Sequence, residues 1–525
     1  MKLVRHDEKQ PIARTLSVSL VGFLAWALIF GLAYAQAPLY ASNQNQYFLH
    51  GAASANVGFL SQDWLANTRD MTPLFSFLTE FTFRFLDPNV FYAYYVLLFG
   101  IYVSSLFGIA DTIFDLRESA TKSLSFLVIL IFFHSAILRL ILTNALGSDW
   151  TYVFEGGVAG QRLLGDVFQP SSFGVLLLLS ILLYLRKRVG WAVVSAIAAC
   201  SIHPTYLLSA AALILAYMMK EVLDLRSPKR GIILGLWTFA LVAPVVTYVA
   251  INFWPSSTEA SSQAQALLIN LRIPHHADPT EWLNSSVAIK FVIVIAGLGI
   301  ARKSRLFWLL AVSLALALGL TILQMLLRSD RMALLFPWRI SVILVPIGLA
   351  MISAYTANGL INRFPKLDSR FHRLLITSEM ILIAICIFAG VAKFKMGLVR
   401  IQEDPSRPML EFVDQQKQSG EVYLIPTKLQ EFRMLTGAPA FIDFKSIPYY
   451  DIEVLEWYKR IRLAQFFYRD EIQFIDCGLL ETIRETGGVT HVVLSRVQFG
   501  LQCSELQPVY EDHDYAVYTL HIVSE

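Results

Sequence analysis

The run RKRVGWAVVSAIAACSIHPTYLLSAAALILAYMMKEVLDLRSPKR, Arg186 to Arg230, decides how the chain is threaded. Its middle, 191–219, is apolar for long enough to hold one bilayer-crossing helix, which takes about 20 residues. Both flanks are basic: Arg186, Lys187 and Arg188 come before it, and Lys220, Arg226, Lys229 and Arg230 follow it. Cytoplasmic loops collect Lys and Arg. Both ends therefore belong on one side of a membrane, and a single pass cannot put them there. Two short helices, 191–202 and 205–219, can, with His203-Pro204 as the turn between them. Proline supplies no helix N–H and biases the residue before it away from the helical region.

Working outward, further apolar runs predict spans over 15–36, 90–110, 123–142, 171–185, 231–253, 285–301, 306–326, 334–356 and 374–395. With the broken pair this makes eleven, the N-terminus inside and the C-terminus outside. Twenty basic residues then fall in inner segments against six, Arg69, Arg84, Arg162, Arg272, Arg328 and Arg331, in outer loops. The first run ends in AYAQA, which has the small-residue pattern of a signal-peptidase site. Its length and the many spans after it favour an uncleaved first helix.

Composition agrees. The 525 residues are 55% hydrophobic and 16% charged, with mean hydropathy +0.54; soluble domains carry about 25% charged residues. The fold class expected is a polytopic α-helical membrane protein of about eleven spans over 1–395, followed by a small extracytoplasmic α/β domain over 396–525. In that tail 422–426, 440–444 and 489–495 read as strands, 508–522 as a hairpin, and 452–467 and 479–485 as helices. A net charge of +3 gives no reason to expect a nucleic-acid partner. Cys200 and Cys386 lie in apolar runs. Cys477 and Cys503 share the tail, where an oxidising compartment allows a disulfide.

The outer loops, 37–89, 143–170, 254–284 and 327–333, hold nearly all the unusual polar residues. The first opens with ASNQNQYFLHG, Ala41 to Gly51, which offers Asn43, Gln44, Gln46, Tyr47 and His50 for hydrogen bonding to hydroxyl-rich ligands. Further on, Asp63 is either a general base or metal ligand, or a helix cap. The second loop holds Asp149, Glu155, Arg162 and Asp166, either at a site or on a surface helix. The third carries RIPHHADPTEW. Its adjacent His275 and His276 point different ways on regular structure, and Arg272 can grip a phosphate with two parallel bonds. Arg339 lies inside an apolar run near its outer end, where a charge faces a cavity or snorkels to the surface. Lys445, in the tail, is either a substrate contact or a plain surface lysine. No P-loop, GxGxxG, HExxH, CxxC or GxSxG is present. Any donor molecule should thus be lipid-borne or already outside.

ASNQNQYFLHG, QDWLANT (62–68), RIPHH (272–276), PWR (337–339) and IDFKSIPY (442–449), within this architecture, resemble a bacterial branch of the GT-C class of integral membrane glycosyltransferases. The resemblance implies an inner-membrane enzyme that moves a sugar from a polyprenyl-phosphate donor to a glycan, lipid or protein acceptor outside the cytoplasm. A divalent metal, Mg or Mn, is possible and not required. It implies a catalytic acid in the outer loops: Asp63, with Asp149 or Glu155 assisting. Arg339, Arg272 and His275 or His276 would hold the phosphate. In one respect the chain departs from the class. The acid often found just after the first helix is replaced by the amides Asn43 to Gln46, and an amide takes up no proton. That favours an alternative reading, a non-catalytic lipid-linked-glycan carrier or assembly partner.

Overall fold

The computed structural model describes residues 20–226, 228–363, 369–469, 477–495 and 506–520. It is predominantly helical with one small sheet near the C-terminus. Among the described residues six helices are long and apolar enough to cross a membrane: Val90–Phe114, Pro204–Asp224, Pro228–Asn252, Arg305–Leu327, Asp330–Ile361 and His372–Gln402. A seventh span results if Ala120–His134 and Ala136–Leu146, bent by 44° at Ser135, count as one. The apolar helices Leu20–Tyr34, Pro170–Leu185, Val189–Ile202 and Ser285–Ala301 are shorter. By length alone the helices thus support fewer than the eleven expected spans.

Large apolar side chains cover the outside of these helices. Ile232, Leu236, Trp237 and Phe239 on Pro228–Asn252 are each more than half exposed, a surface that suits a lipid bilayer. Pro73–Phe85 behaves differently. It buries Phe75, Thr79 and Thr82 and exposes Leu74, Phe77, Phe81 and Phe85. Spaced every three or four residues, these four make one apolar stripe, the pattern of a helix lying in a membrane interface.

Local chemistry fixes the bends. Ser135 ends one helix and caps the next, its Oγ accepting from Leu138 N at 3.3 Å. The segment 191–219 breaks at His203, between Val189–Ile202 and a turn at Pro204–Tyr206 that leads into Leu207–Leu225. Phe336 takes a left-handed backbone (φ +50), which costs a non-glycine residue about 1–2 kcal/mol. That bend starts the short turn Pro337–Ile340, which carries Arg339.

The C-terminal domain has a four-stranded sheet in the order β1 (Tyr423–Leu424), β2 (His491–Ser495), β4 (Tyr515–Leu520), β3 (Leu506–Glu511). The first pair is parallel and the others antiparallel. Arg407–Gln416, Asp451–Phe467 and Cys477–Gly487 are helices. The strand expected over 440–444 reduces to a single bridge, Tyr423 to Ala440. The cause is Asp443, which turns inward to accept from Ser446 N at 2.8 Å and from Arg433. Cys503, and with it the expected disulfide, lies outside the described residues.

The loop 37–89 and the C-terminal domain interlock. Phe59 N donates to Gly437 O at 2.8 Å. The two backbones touch so closely that a Cβ on Gly58 (φ +52) would sit 2.8 Å from Gly437 Cα, so only glycine fits. Arg69 stacks 3.4 Å over the Tyr450 ring, and its N–H donates to Glu453 at 3.1 Å.

Candidate anion-binding cavity

Four parts of the chain distant in sequence meet around a polar cavity of about 650 Å³. The loop after the first helix supplies Asn43, Gln46 and Tyr47. The loop 143–170 supplies Asp149, Gln161 and Arg162. The loop 254–284 supplies Arg272, His275, His276 and Glu281, and the C-terminal domain adds Lys445 and Tyr449. His203 and Thr205, from the broken segment, and Arg339, from the turn after Phe336, complete the lining with Lys290.

The charge balance is lopsided. Arg162, Arg272, Lys290, Arg339 and Lys445 face two carboxylates, Asp149 and Glu281. Among the described residues none of the five cations is in an ion pair. What holds them is neutral. Arg272 Nη2 donates to Lys445 O at 2.6 Å, and Lys290 Nζ to Gly157 O at 2.9 Å. Arg339 donates to Gln161 Oε1 and lies 4.7 Å over the Tyr206 ring; Arg162 stacks 4.0 Å over Tyr152. Among the described residues four buried polar atoms on the lining have no hydrogen-bond partner: Arg272 Nε, Arg339 Nε, His203 Nδ1 and Thr205 Oγ1. Buried polar groups are nearly always paired, so orphans gathered at one cavity point to a ligand.

The cations repel one another's protons. Burial, with Arg272 and Arg162 outweighing the opposite pull of Asp443, brings Lys445 down to about 8. Burial and the charges of Arg272, Lys445 and Arg162 hold His275 below its ordinary value. His276 falls to about 3, through burial, His275, Arg339 and Arg162, against a hydrogen bond to Ala159 O at 2.6 Å. Both imidazoles are therefore neutral at pH 7 and act there as hydrogen-bonding groups.

The amides divide. Asn43 Nδ2 donates to Gln169 Oε1 at 2.7 Å and Gln46 Nε2 to the Tyr449 hydroxyl at 2.8 Å, both on the cavity wall. The Tyr47 hydroxyl is 3.5 Å from that of Tyr449. Gln44 instead is buried, bonded to Tyr40 N and Phe168 O. His50 lies off the cavity, with Nδ1 3.0 Å from Ala66 O.

The three acids separate too. Asp149 lines the cavity, held by Asn284 Nδ2 at 3.0 Å; the same Asn284 caps Ser285–Ala301 through Val287 N. Glu155 is buried outside it, 4.0 Å from Arg139 Nη1 and 4.0 Å from His134 Nε2. Burial, partly offset by Arg139, pushes its carboxyl up to about 7. Asp63 does not reach the cavity. It is wholly buried, with Oδ1 accepting from Leu65 N (2.9 Å) and Ala66 N (3.2 Å), and Oδ2 from Arg433 Nε (2.6 Å) and Ala440 N (2.8 Å). Arg433 also pairs with Asp443. Burial opposes the Arg433 charge, yet the two carboxylates outweigh it and raise its pKa. The geometry thus gives Asp63 a capping and clasping role, in place of the expected base.

A divalent metal does not fit this lining. Among the described residues no three His, Cys, Asp or Glu side chains group to hold one, and the cavity's two carboxylates stand among five cations. Sequence reasoning passed over Lys290, although a lysine within the apolar run 285–301 carries the same signal that singled out Arg339. Nothing in the local sequence marks Glu281, Gln161, Thr205 or Tyr449.

A family described as a domain of unknown function, DUF6798, matches residues 404–464, the part of the C-terminal domain that carries Arg433, Asp443, Lys445 and Tyr449. No curated protein matches the chain.

Proposed function

We propose that the chain is a membrane glycosyltransferase of GT-C type that moves a sugar from a polyprenyl-phosphate donor to an acceptor on the extracytoplasmic side. The observation that carries this reading is the cavity: five unpaired cations and four orphaned polar atoms beside walls of amides and tyrosines. The cations suit a phosphate, and the amides suit sugar hydroxyls. In this reading the bent pair counts once and the four shorter apolar helices also cross, which would bring the six long helices to the eleven passes expected from the sequence. The basic ends of the apolar runs support a cytoplasmic N-terminus and a cavity on the other side, and the GT-C resemblance implies a bacterial inner membrane.

In this scheme Arg272 and Arg339 hold the donor phosphate, with Arg162, Lys290 and Lys445 adding to the field. Asn43, Gln46 and Tyr47 orient the sugar. The acceptor oxygen attacks the anomeric carbon as the carbon–oxygen bond to the phosphate breaks. Asp149 takes the acceptor proton, and the electron pair leaves with the phosphate, whose charge the two arginines stabilise.

One observation favours the second reading, a carrier that binds the same lipid without reaction: Asp63 is fully engaged elsewhere. Purified protein with radiolabelled polyprenyl-phosphate sugars separates the two. Transfer by the wild type that Asp149→Asn abolishes while lipid binding survives supports the transferase. Binding without sugar release in both proteins supports the carrier. No binding in either overturns both.

A further inference from the structure

A second cavity, of about 750 Å³, lies at the far end of the helix that leads to His203. Val189–Ile202 spans about 21 Å at 1.5 Å per residue. His203 at one end lines the polar cavity; Lys187 and Arg188 at the other line this groove. Its walls are apolar: Trp191 (67% exposed) and Val194 on one side, Ile233 and Trp237 (64% exposed) on the other. Pro228–Asn252, which carries the second wall, has almost none of its apolar stretch covered by protein.

Only the mouth is charged. Lys187, Arg188 and Arg230 stand there with one acid, Glu221, which accepts from the Tyr184 hydroxyl at 3.2 Å. The neighbouring Asp224 is taken by Lys220 (2.6 Å) and Arg305 (2.8 Å). Among the described residues the three cations have no ion-pair partner. A long apolar slot with an unneutralised basic mouth matches one amphiphile: acyl chains in the slot, an anionic phosphate head at the mouth. Trp191, three residues from Arg188 at the mouth, suits the headgroup boundary.

The geometry points to a specific binding site for an anionic phospholipid in this groove, on the membrane face opposite the polar cavity. It rests on the bilayer setting and not on the sugar-transfer reading, so either can fail alone.

The test uses the full-length protein equilibrated with mixed phosphatidylglycerol and phosphatidylcholine, extracted gently, with retained lipid counted by native mass spectrometry. The wild type should keep phosphatidylglycerol over phosphatidylcholine by about tenfold. Inorganic phosphate should not displace it, because the slot holds the chains. A Lys187→Gln/Arg188→Gln/Arg230→Gln variant should lose the preference. Gly190→Leu should lower retention of phosphatidylglycerol, because it adds a side chain at the groove where a Cβ meets no neighbour. Equal retention of the two lipids by the wild type overturns the proposal. So does displacement by inorganic phosphate, or a triple variant that behaves as wild type. Should the triple variant not fold, undiminished retention by Gly190→Leu overturns it.

Discussion

Replacing Asp63 by Asn tests whether this carboxylate is a clasp or a base. The amide keeps Oδ1 for Leu65 and Ala66 N–H, but puts an NH₂ where Oδ2 accepts from both Arg433 Nε and Ala440 N. Donor then faces donor, and Arg433, 2% exposed, keeps Asp443 as its one carboxylate partner beside the neutral Ala440 O at 2.8 Å. Removing one partner from a buried pair costs about 3–5 kcal/mol. At 1.4 kcal/mol per tenfold, that raises the undocked population of the first loop and C-terminal domain by roughly a hundred- to several-thousand-fold. Limited proteolysis in detergent reads this directly, since cleavage of a briefly opened segment follows its equilibrium population when reclosing is fast. Asp63→Asn should be cut at Ser54–Thr68 far faster than wild type. Arg433→Gln should do the same, and the pair together should cost less than the sum of the two. If Asp63→Asn resists protease like wild type yet loses sugar transfer, the clasp is refuted and Asp63 returns as the base.

Other outcomes follow from the same geometry. Arg272→Ala and Arg339→Ala should each weaken phosphate-lipid binding at least about tenfold, as loss of a charge-assisted hydrogen bond does, with little change in thermal stability. Titration with a phosphate lipid by calorimetry checks this. Lys445, titrating near about 8, loses its charge above that pH; anion affinity should fall as pH rises through 8, and Lys445→Gln should flatten the profile. Glu155 holds its proton to about 7 when folded, against 4.5 ordinarily. Between those values the unfolded chain binds fewer protons, so stability should fall by about 3 kcal/mol as pH rises. Glu155→Gln should remove that slope from melting curves. Gly58→Ala, meeting Gly437 in a left-handed backbone, should destabilise the docked domain by about 2 kcal/mol or more.

Much of the helical layout is legible as apolar runs with basic ends, including the break at His203, because proline and hydropathy are local signals. The lengths of the helices are less legible. The helix of the expected span 374–395 runs on to Gln402, and the bend at Ser135 depends on a side-chain cap that hydropathy does not see. Of the site, Asn43, Gln46, Tyr47, Asp149, Arg272, His275, His276, Arg339 and Lys445 do share one cavity. They are polar residues in loops at the ends of apolar runs, where few other surfaces are available. Asp63 and Glu155 were the harder cases. An acid in a loop looks the same whether it faces a substrate or an arginine that the sequence places 370 residues away.

That separation has a consequence for the chain as it is made. Synthesis at about 5–20 residues per second puts roughly 20–70 s between the emergence of Asp63 and that of Arg433. Through that interval the first loop waits with an unmatched carboxylate and its glycine seat at Gly58 empty. The part that closes the first loop appears some 370 residues after it. A ribosome that stops early therefore leaves helices in the membrane beside an open loop, and a protease that recognises such loops can sort unfinished chains from finished ones.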